Sequence, residues 1–256
     1  MTFDDLSGRV AAITGGARGL GYSIAEALAR EGCAIALFDI LPDVEESAAR
    51  LAETYGVPTF SAHADVTDQR SVQAAFDGAT AALGTPQVLV TAAGITIWND
   101  SVGIPASEWR KVMSVNLDGT FFSAQSFAKG LLAAGRPGSA IFISSMSGSI
   151  VNVPQNQASY NSSKAAVTQL AKSLAVEWAP SSIRVNAIAP GYFLSDMTRQ
   201  FTEANPDLAA DWVARIPAGR MGEPADLHGL VTYLASDASS YVTAQNLVID
   251  GGYTAI

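Results

Sequence analysis

Apolar residues along this 256-residue chain fall into short unbroken runs, separated by longer stretches with a helical period. The runs Arg9–Thr14, Ala34–Asp39, Thr59–Ala62, Val88–Thr91, Ala140–Ser144, Arg184–Ala189 and Asn246–Ile249 are short and bounded by polar or turn-forming residues, which predicts strands. The intervening pattern predicts helices over Gly19–Arg30, Asp43–Tyr55, Ser71–Leu83, Ser107–Ala134, Ser159–Trp178 and Asp226–Ala235. In the first of these, Ile24, Ala27 and Leu28 share one face. Continuous rather than alternating runs indicate strands buried on both faces. With helical crossovers between them, the expectation is an α/β chain with a parallel, doubly wound sheet. Gly191–Met221 is the one long break in the rhythm, with two prolines and mixed polarity, as a substrate lid would have. No repeat, linker or low-complexity segment divides the chain, so residues 1–256 read as one domain.

Composition narrows the classes. Hydrophobic residues make up 48% and charged residues 15%, which fits a deep core or a large interface between copies. A net charge of −9 repels nucleic acid and anionic membrane surfaces, so neither is an expected partner. The opening Met1-Thr2-Phe3-Asp4-Asp5 has no basic or apolar region of a leader peptide, and no apolar run reaches membrane-spanning length. Cys33 is the only cysteine, and His63 and His228 are far apart, so neither a disulfide nor a metal site is expected. A reducing cytoplasm is the default location.

Candidate chemistry begins at Thr14-Gly15-Gly16-Ala17-Arg18-Gly19-Leu20-Gly21, between the first strand and the first helix. A chain that must turn sharply there and bring its backbone against a pyrophosphate needs glycine, and the helix N-terminus adds oriented N–H groups. Asp39 ends the second strand, 18 residues past Gly21. A carboxylate there accepts from both adenosine ribose hydroxyls and repels a 2′-phosphate. Ile40 and Leu41, rather than a cation, come next. NAD is therefore favoured over NADP, with Arg18 the one residue that could reach a 2′-phosphate.

Tyr160 and Lys164 are one helical turn apart and project from one face. A phenol beside an ammonium loses its proton more readily, which suits acid–base exchange between an alcohol and a ketone. Upstream, Ile143-Ser144-Ser145-Met146-Ser147-Gly148 ends the fifth strand and offers three serine hydroxyls, any of which could orient a substrate oxygen.

The spacing T-G-x-x-x-G-x-G, followed about 140 residues later by Y-x-x-x-K, resembles the short-chain dehydrogenase/reductase family. The likeness covers essentially the whole chain and implies a single-domain Rossmann-type doubly wound parallel sheet of about seven strands. It selects Ser145 among the three serines, with Ser144 and Ser147 left as structural candidates. Asp65 and Val66 resemble the family's adenine contact. Thr91-Ala92-Ala93-Gly94 stands where the family has Asn-Ala-Ala-Gly or Asn-Asn-Ala-Gly, so Thr91 departs from the pattern. Asn116 resembles the catalytic asparagine, which would anchor a water chain or, as a buried amide, satisfy a helix bulge. Pro190-Gly191, Phe193 and Ser195 resemble the segment that holds the nicotinamide carboxamide, with serine replacing threonine. The resemblance implies that Tyr160 exchanges the substrate proton, that Lys164 lowers the Tyr160 pKa and holds the nicotinamide ribose, and that no metal takes part. It also implies a homotetramer in which Ser107–Ala134 and Ser159–Trp178 pair with their copies, with a second contact through the last strand and Asp226–Ala235. Phe121, Phe122, Phe127, Leu131 and Leu132 are too many apolar residues for one sheet-facing stripe.

Substrate clues lie between Ser145 and Tyr160, which are 15 positions apart where thirteen is common in the family. The string from Ser145 to Gln155, and the C-terminal Asp250-Gly251-Gly252-Tyr253-Thr254, resemble the family's galactitol, xylitol and arabinitol dehydrogenases. Ser147, Asn152, Gln155 and Gln157 could bind several substrate hydroxyls, or the amides could cap their own loop. Trp98, Phe193, Met197 and Trp212 fit a more apolar pocket instead, as in a reductase of bulky or β-ketoacyl ketones. A dinucleotide-binding protein without catalysis is the remaining reading, and it leaves an intact Ser, Tyr and Lys set unexplained.

Overall fold

Seven strands form one all-parallel sheet in the order β3-β2-β1-β4-β5-β6-β7. This computed structural model describes residues 3–256, with the side chains of Asp196, Met197, Gln200 and Phe201 outside the described set. Met1 and Thr2, which open the segment read as lacking a leader, also lie outside the described residues, as does the Met197 side chain expected in the pocket. The chain runs β1 (Val10–Thr14), α1 (Gly19–Arg30), β2 (Ala34–Asp39), α2 (Val44–Tyr55), β3 (Thr59–His63), α3 (Gln69–Leu83) and β4 (Val88–Thr91). It continues through α4 (Ala106–Met113), α5 (Gly119–Ala134), β5 (Gly138–Ile143), α6 (Ala158–Trp178) and β6 (Ile183–Pro190). The last elements are α7 (Asp196–Ala204), α8 (Pro206–Ala214), α9 (His228–Ala235) and β7 (Asn246–Ile249).

Successive residues of a strand point to opposite faces, and each face has its own core. Ile13, Leu37, Ile141 and Ile188 pack with Ile24 and Leu28 of α1, Leu51 of α2 and Leu234 of α9. Their neighbours Ala12, Phe38, Phe142 and Ala187 pack with Phe76 of α3, Phe127 and Leu131 of α5, and Val167 and Leu174 of α6. β1, β2, β4 and β5 are buried over nearly their whole length, which is why they read as continuous apolar runs. After β3 the chain crosses back over β1 to start β4, so the strand order reverses between β1 and β4. A ligand crevice at the carboxyl ends of the strands is expected at such a reversal.

Three expectations need correction. The single helix predicted over Ser107–Ala134 is two helices joined by a π-helical turn at Ser114–Asp118. The extra residue in that turn shifts the apolar stripe without breaking it, so periodicity alone runs through it. The last predicted helix begins later, because Pro224–Leu227 forms a 3₁₀ turn, capped reciprocally by Glu223 and Asp226, before α9. Gly191–Met221, read as a break in the rhythm and a substrate lid with no element assigned to it, contains α7 and α8, divided at Asn205 with Pro206 at the first position of α8. Among the described residues no helix is long and apolar enough to cross a membrane.

Candidate active site

The loop after β1 is held in place from three sides. Gly15 adopts φ +67°, and a Cβ there would lie 2.6 Å from the Ala93 backbone nitrogen beyond β4. A Cβ on Gly21 would lie 2.0 Å from the Gly15 carbonyl oxygen, so the first turn of α1 sits directly on the loop. The third tie is Asp39, only 8% exposed, whose Oδ2 accepts from Ala17 N at 3.0 Å and Oδ1 from Leu41 N at 3.0 Å. Each carboxylate oxygen keeps a further lone pair. Arg18 is exposed just before α1, Gly19 opens the helix, and Leu20 lines the adjacent pocket. A cradle that a Cβ at Gly15, Gly16 or Gly21 would fill, ending on a helix N-terminus and a fixed carboxylate, fits a dinucleotide pyrophosphate and ribose. Asp65 accepts from the Thr67 N–H at 2.9 Å in its own turn, and Val66 packs on Gly119. Both stand outside the pocket wall, whereas Gly94 is part of it.

A cavity of about 480 Å³ opens at the carboxyl ends of β4, β5 and β6. Ser145, Tyr160 and Lys164 all line it. Ser145 follows β5 in extended conformation, and its Oγ accepts from Ser147 N at 3.1 Å. Lys164, 5% exposed, donates to the Ile143 carbonyl at 2.7 Å, and its Nζ stands 5.7 Å from the Tyr160 ring centre. Burial pushes the Lys164 pKa down to about 8. Burial raises the Tyr160 pKa, and the Ser145 hydroxyl hydrogen-bonded to it pulls it partly back. Lys164, expected to lower it, has its ammonium 5.7 Å from the ring centre and bonded to Ile143, and is not among the causes of this shift; the effect that lowers the Tyr160 pKa here is the Ser145 hydrogen bond.

Asn116 lies fully buried in the π turn. Its Oδ1 accepts from Ile95 N at 2.8 Å, and its Nδ2 donates to Ile95 O and Ser163 Oγ, each at 2.9 Å. The side chain thus ties the segment after β4 to α6; the Asn116 carbonyl in the turn accepts instead from Thr120 Oγ1 at 2.8 Å. Thr91 is buried, and its Oγ1 has no hydrogen-bond partner among the described residues.

The amides predicted near the substrate all reach the cavity, but they are already bonded to one another. Ser147 donates to Asn152 Oδ1, and Asn152 Nδ2 donates to the Tyr192 hydroxyl at 3.1 Å. Gln157 Nε2 donates to Asn161 Oδ1 at 3.0 Å, with Ser147 Oγ and Asn152 Oδ1 at 3.4 Å. Gln155 meets the Tyr192 hydroxyl at 3.0 Å. Trp98, Tyr192 and Trp212 also line the cavity, with Tyr192 and Trp212 directly against Gln155; Tyr192 stacks on Trp212 with centroids 4.4 Å apart and planes 10° from parallel. Pro190, Gly191, Phe193 and Ser195 complete the wall. Phe193 packs against Gly222, and Ser195 caps α7 by accepting from Thr198 N at 3.3 Å. Thr96, Tyr192 and Thr198 also line the cavity and were not singled out in the sequence. Tyr192 carried a signal, directly after Pro190-Gly191; Thr96 and Thr198 carried none.

The other reactive side chains are structural. Cys33 donates to Leu6 O at 3.3 Å and is pushed up to about 12 by burial, and His228 Nε2 bonds Ser23 Oγ at 2.8 Å. Among the described residues, no group of three or more His, Cys, Asp or Glu is placed to hold a metal ion.

Together the glycine cradle, the fixed Asp39 and the Ser, Tyr and Lys set at a strand-order reversal define a nicotinamide-dinucleotide-dependent oxidoreductase. Residues 15–254 match the family model described as Enoyl-(Acyl carrier protein) reductase. The chain is 40% identical over 252 residues to a sorbose reductase of Candida albicans, across 97% of this chain and 88% of that one. It is 41% identical over 252 residues to a galactitol 2-dehydrogenase (L-tagatose-forming) of Cereibacter sphaeroides, across 97% and 96%. A short-chain type dehydrogenase/reductase from Mycobacterium marinum superimposes with a TM-score of 0.93 at 39% identity, covering 99% and 98%. The chain belongs to the short-chain dehydrogenase/reductase family and is an NAD(P)-dependent alcohol dehydrogenase/ketoreductase.

Proposed function

We propose that the protein interconverts a secondary alcohol of a sugar alcohol and the corresponding ketose, with NAD as the preferred cofactor. The observation that carries this reading is the polar wall of Ser147, Asn152 and Gln157 beside Ser145 and Tyr160 in one cavity. Amides and hydroxyls clustered at the reacting centre suit a substrate with several hydroxyls. The names of the sorbose and galactitol relatives support the same substrate class.

In this reading the Ser145 hydroxyl bonds the substrate oxygen and stabilises charge on it. Tyr160 removes the alcohol proton in oxidation and returns it in reduction. Lys164 supports the phenolate form and reaches the nicotinamide ribose. Asn116 maintains the π turn and the path by which the proton leaves. Gly15, Gly19, Gly21 and the α1 N-terminus hold the pyrophosphate, and Asp39 holds the adenosine ribose. Asp65 and Val66 adjoin the adenine, and Ala93, Gly94, Pro190, Gly191, Phe193 and Ser195 surround the nicotinamide. The bound nicotinamide supplies the hydride acceptor and, when oxidised, a positive charge. Residues 191–221, with α7 and α8, act as the lid of a single catalytic domain. A homotetramer in the cytoplasm completes the proposal.

A second reading rests on the aromatic side of the cavity. Trp98, Tyr192 and Trp212 could receive a bulky ketone instead of a polyol. A panel of C5 and C6 polyols, their ketoses and aryl or β-ketoacyl ketones, each with NAD and NADP, decides between them. Turnover of polyols with NAD is expected. Activity confined to bulky ketones would move the assignment to the second reading.

A further inference from the structure

The amides beside the catalytic serine form part of a line of hydrogen bonds with a fixed direction. An indole N–H has no lone pair and can only donate. The Trp212 indole nitrogen lies 3.2 Å from the Gln155 side-chain amide, so Gln155 turns its Oε1 there and its Nε2 donates to Val153 O at 3.2 Å. That oxygen also meets the Tyr192 hydroxyl at 3.0 Å, and it can only accept, so Tyr192 donates to it. With its proton committed, the Tyr192 oxygen accepts from Asn152 Nδ2 at 3.1 Å. Tyr253 packs edge-on against Tyr192, with ring centroids 5.5 Å apart. The Asn152 carbonyl is therefore turned to Ser147, which must donate to it. Burial enforces the order, because Ser147, Asn152 and Gln155 are 5%, 2% and 6% exposed and a misdirected group would be left unpaired. Burial also pushes the Tyr192 pKa up, which keeps its proton in place.

The consequence falls on Ser147, two residues from Ser145 and in the same cavity. Its proton faces Asn152 and one lone pair meets Gln157 Nε2 at 3.4 Å, so toward a ligand its oxygen offers only its remaining lone pair. We propose that Tyr192 is a positioning residue for specificity: through Asn152 it fixes Ser147 as an acceptor, so the site takes a substrate bearing a hydroxyl on the carbon next to the reacting one. The substrate class is an α-hydroxy ketone or vicinal diol, and a 1,2-dicarbonyl, which presents an acceptor there, is rejected. This rests on the polyol reading and names the feature of a polyol that the site recognises.

The test compares reduction of 3-hydroxy-2-butanone with that of 2,3-butanedione, which share a skeleton and differ in the group beside the reacting carbonyl. Tyr192→Phe keeps the ring that stacks on Trp212 and removes the hydroxyl. The ratio of kcat/KM for the hydroxy ketone over the dione is expected to fall at least tenfold in the variant, mainly through KM of the hydroxy ketone. Packing alone moves both substrates together, so an unchanged ratio, or equal losses on both, overturns the assignment. Should Tyr192→Phe fail to fold, Gln155→Met removes the acceptor of the Tyr192 proton and is expected to move the ratio the same way; no movement there also overturns it. Wild type that reduces ketones but oxidises no polyol removes the underlying reading and the proposal with it. Polyol oxidation with an unmoved ratio overturns only the role of Tyr192.

Discussion

Lys164 holds its ammonium nitrogen 5.7 Å from the Tyr160 ring centre while donating to the Ile143 carbonyl at 2.7 Å. Two titrations follow from this arrangement. Lys164 has its folded pKa depressed to about 8 from an unfolded value of 10.5. Below pH 8 the lysine is charged in both states and the fold bears the full cost of burying it, about 3 kcal/mol. Between about pH 8 and 10.5 the unfolded chain binds more protons than the native one, so stability rises with pH. Lys164→Met removes this dependence. Its stability gain over wild type, measured by urea unfolding, is expected to be largest below pH 8 and to vanish near pH 10.5. A gain that is flat with pH would mean the ammonium is solvated.

Tyr160 has the opposite role in activity. Burial raises its pKa and Ser145 lowers it, so alcohol oxidation, which needs the phenolate, is expected to rise with pH. Tyr160→Phe keeps the ring and is expected to lower kcat by on the order of 10² to 10⁴ with cofactor affinity retained. Turnover within threefold of wild type would discard the assignment. Ser145→Ala, besides its own loss of rate, is expected to shift the pH–rate limb upward, because the hydrogen bond favouring the phenolate is gone.

Cofactor choice is expected to follow Asp39 and its neighbour. The carboxylate is fixed by Ala17 and Leu41, and Ile40 is 54% exposed, leaving room for a guanidinium at position 40. Asp39→Ser with Ile40→Arg removes a repulsion and adds a phosphate partner. The ratio of kcat/KM for NAD over NADP is expected to reverse. If wild type already prefers NADP, Arg18 becomes the residue to change.

What the sequence revealed was the part of the site encoded in contiguous residues. The glycine loop, Asp39 one helix and one strand further on, and Tyr160 with Lys164 are each defined by local spacing, and the structure brings the loop and Asp39 into direct contact. Continuous apolar runs likewise located the strands: β1, β2, β4, β5 and β6 are buried over nearly their whole length, whereas β3 and β7, at the two edges of the sheet, are only partly buried. Tyr192 was less legible, since its partners Asn152 and Gln155 precede it by 40 and 37 positions and meet it only in the tertiary fold. The π turn at Asn116 preserves an apolar stripe and hides from periodicity. Asn152 and Gln155 invited a reading as free substrate ligands, but burial to 2% and 6% demands partners within the protein first.

Thr91 provides a test of one departure from the family pattern. Its hydroxyl is buried without a partner among the described residues. Thr91→Val keeps the shape and removes the unpaired oxygen, so stability is expected to rise by about 1 kcal/mol. In a chain of this size that corresponds to roughly 2–4 °C in Tm, readable by calorimetry. A fall of similar size would show that the hydroxyl is bonded.

Association should follow from the apolar face that α4, α5 and α6 leave uncovered. Phe127 and Leu131 of α5 are buried against the sheet, but Leu132 is 52% exposed, and Phe121 and Phe122 are only half-buried. Trp109 of α4 is 38% exposed and Val176 of α6 is 75% exposed. A second apolar edge lies at Val248 of β7 and the fully exposed Tyr241. Two such surfaces, each closing on its own copy, generate a tetramer with two kinds of two-fold contact. Light scattering at micromolar concentration is expected to return about four times the 26.6 kDa of the chain. Val176→Arg places an unpaired charge in the helical contact and leaves the β7 contact intact, so it is expected to give a particle of twice the chain mass. Wild type at 26.6 kDa would rule out the assembly. A variant that remains tetrameric would place the contact elsewhere on these helices.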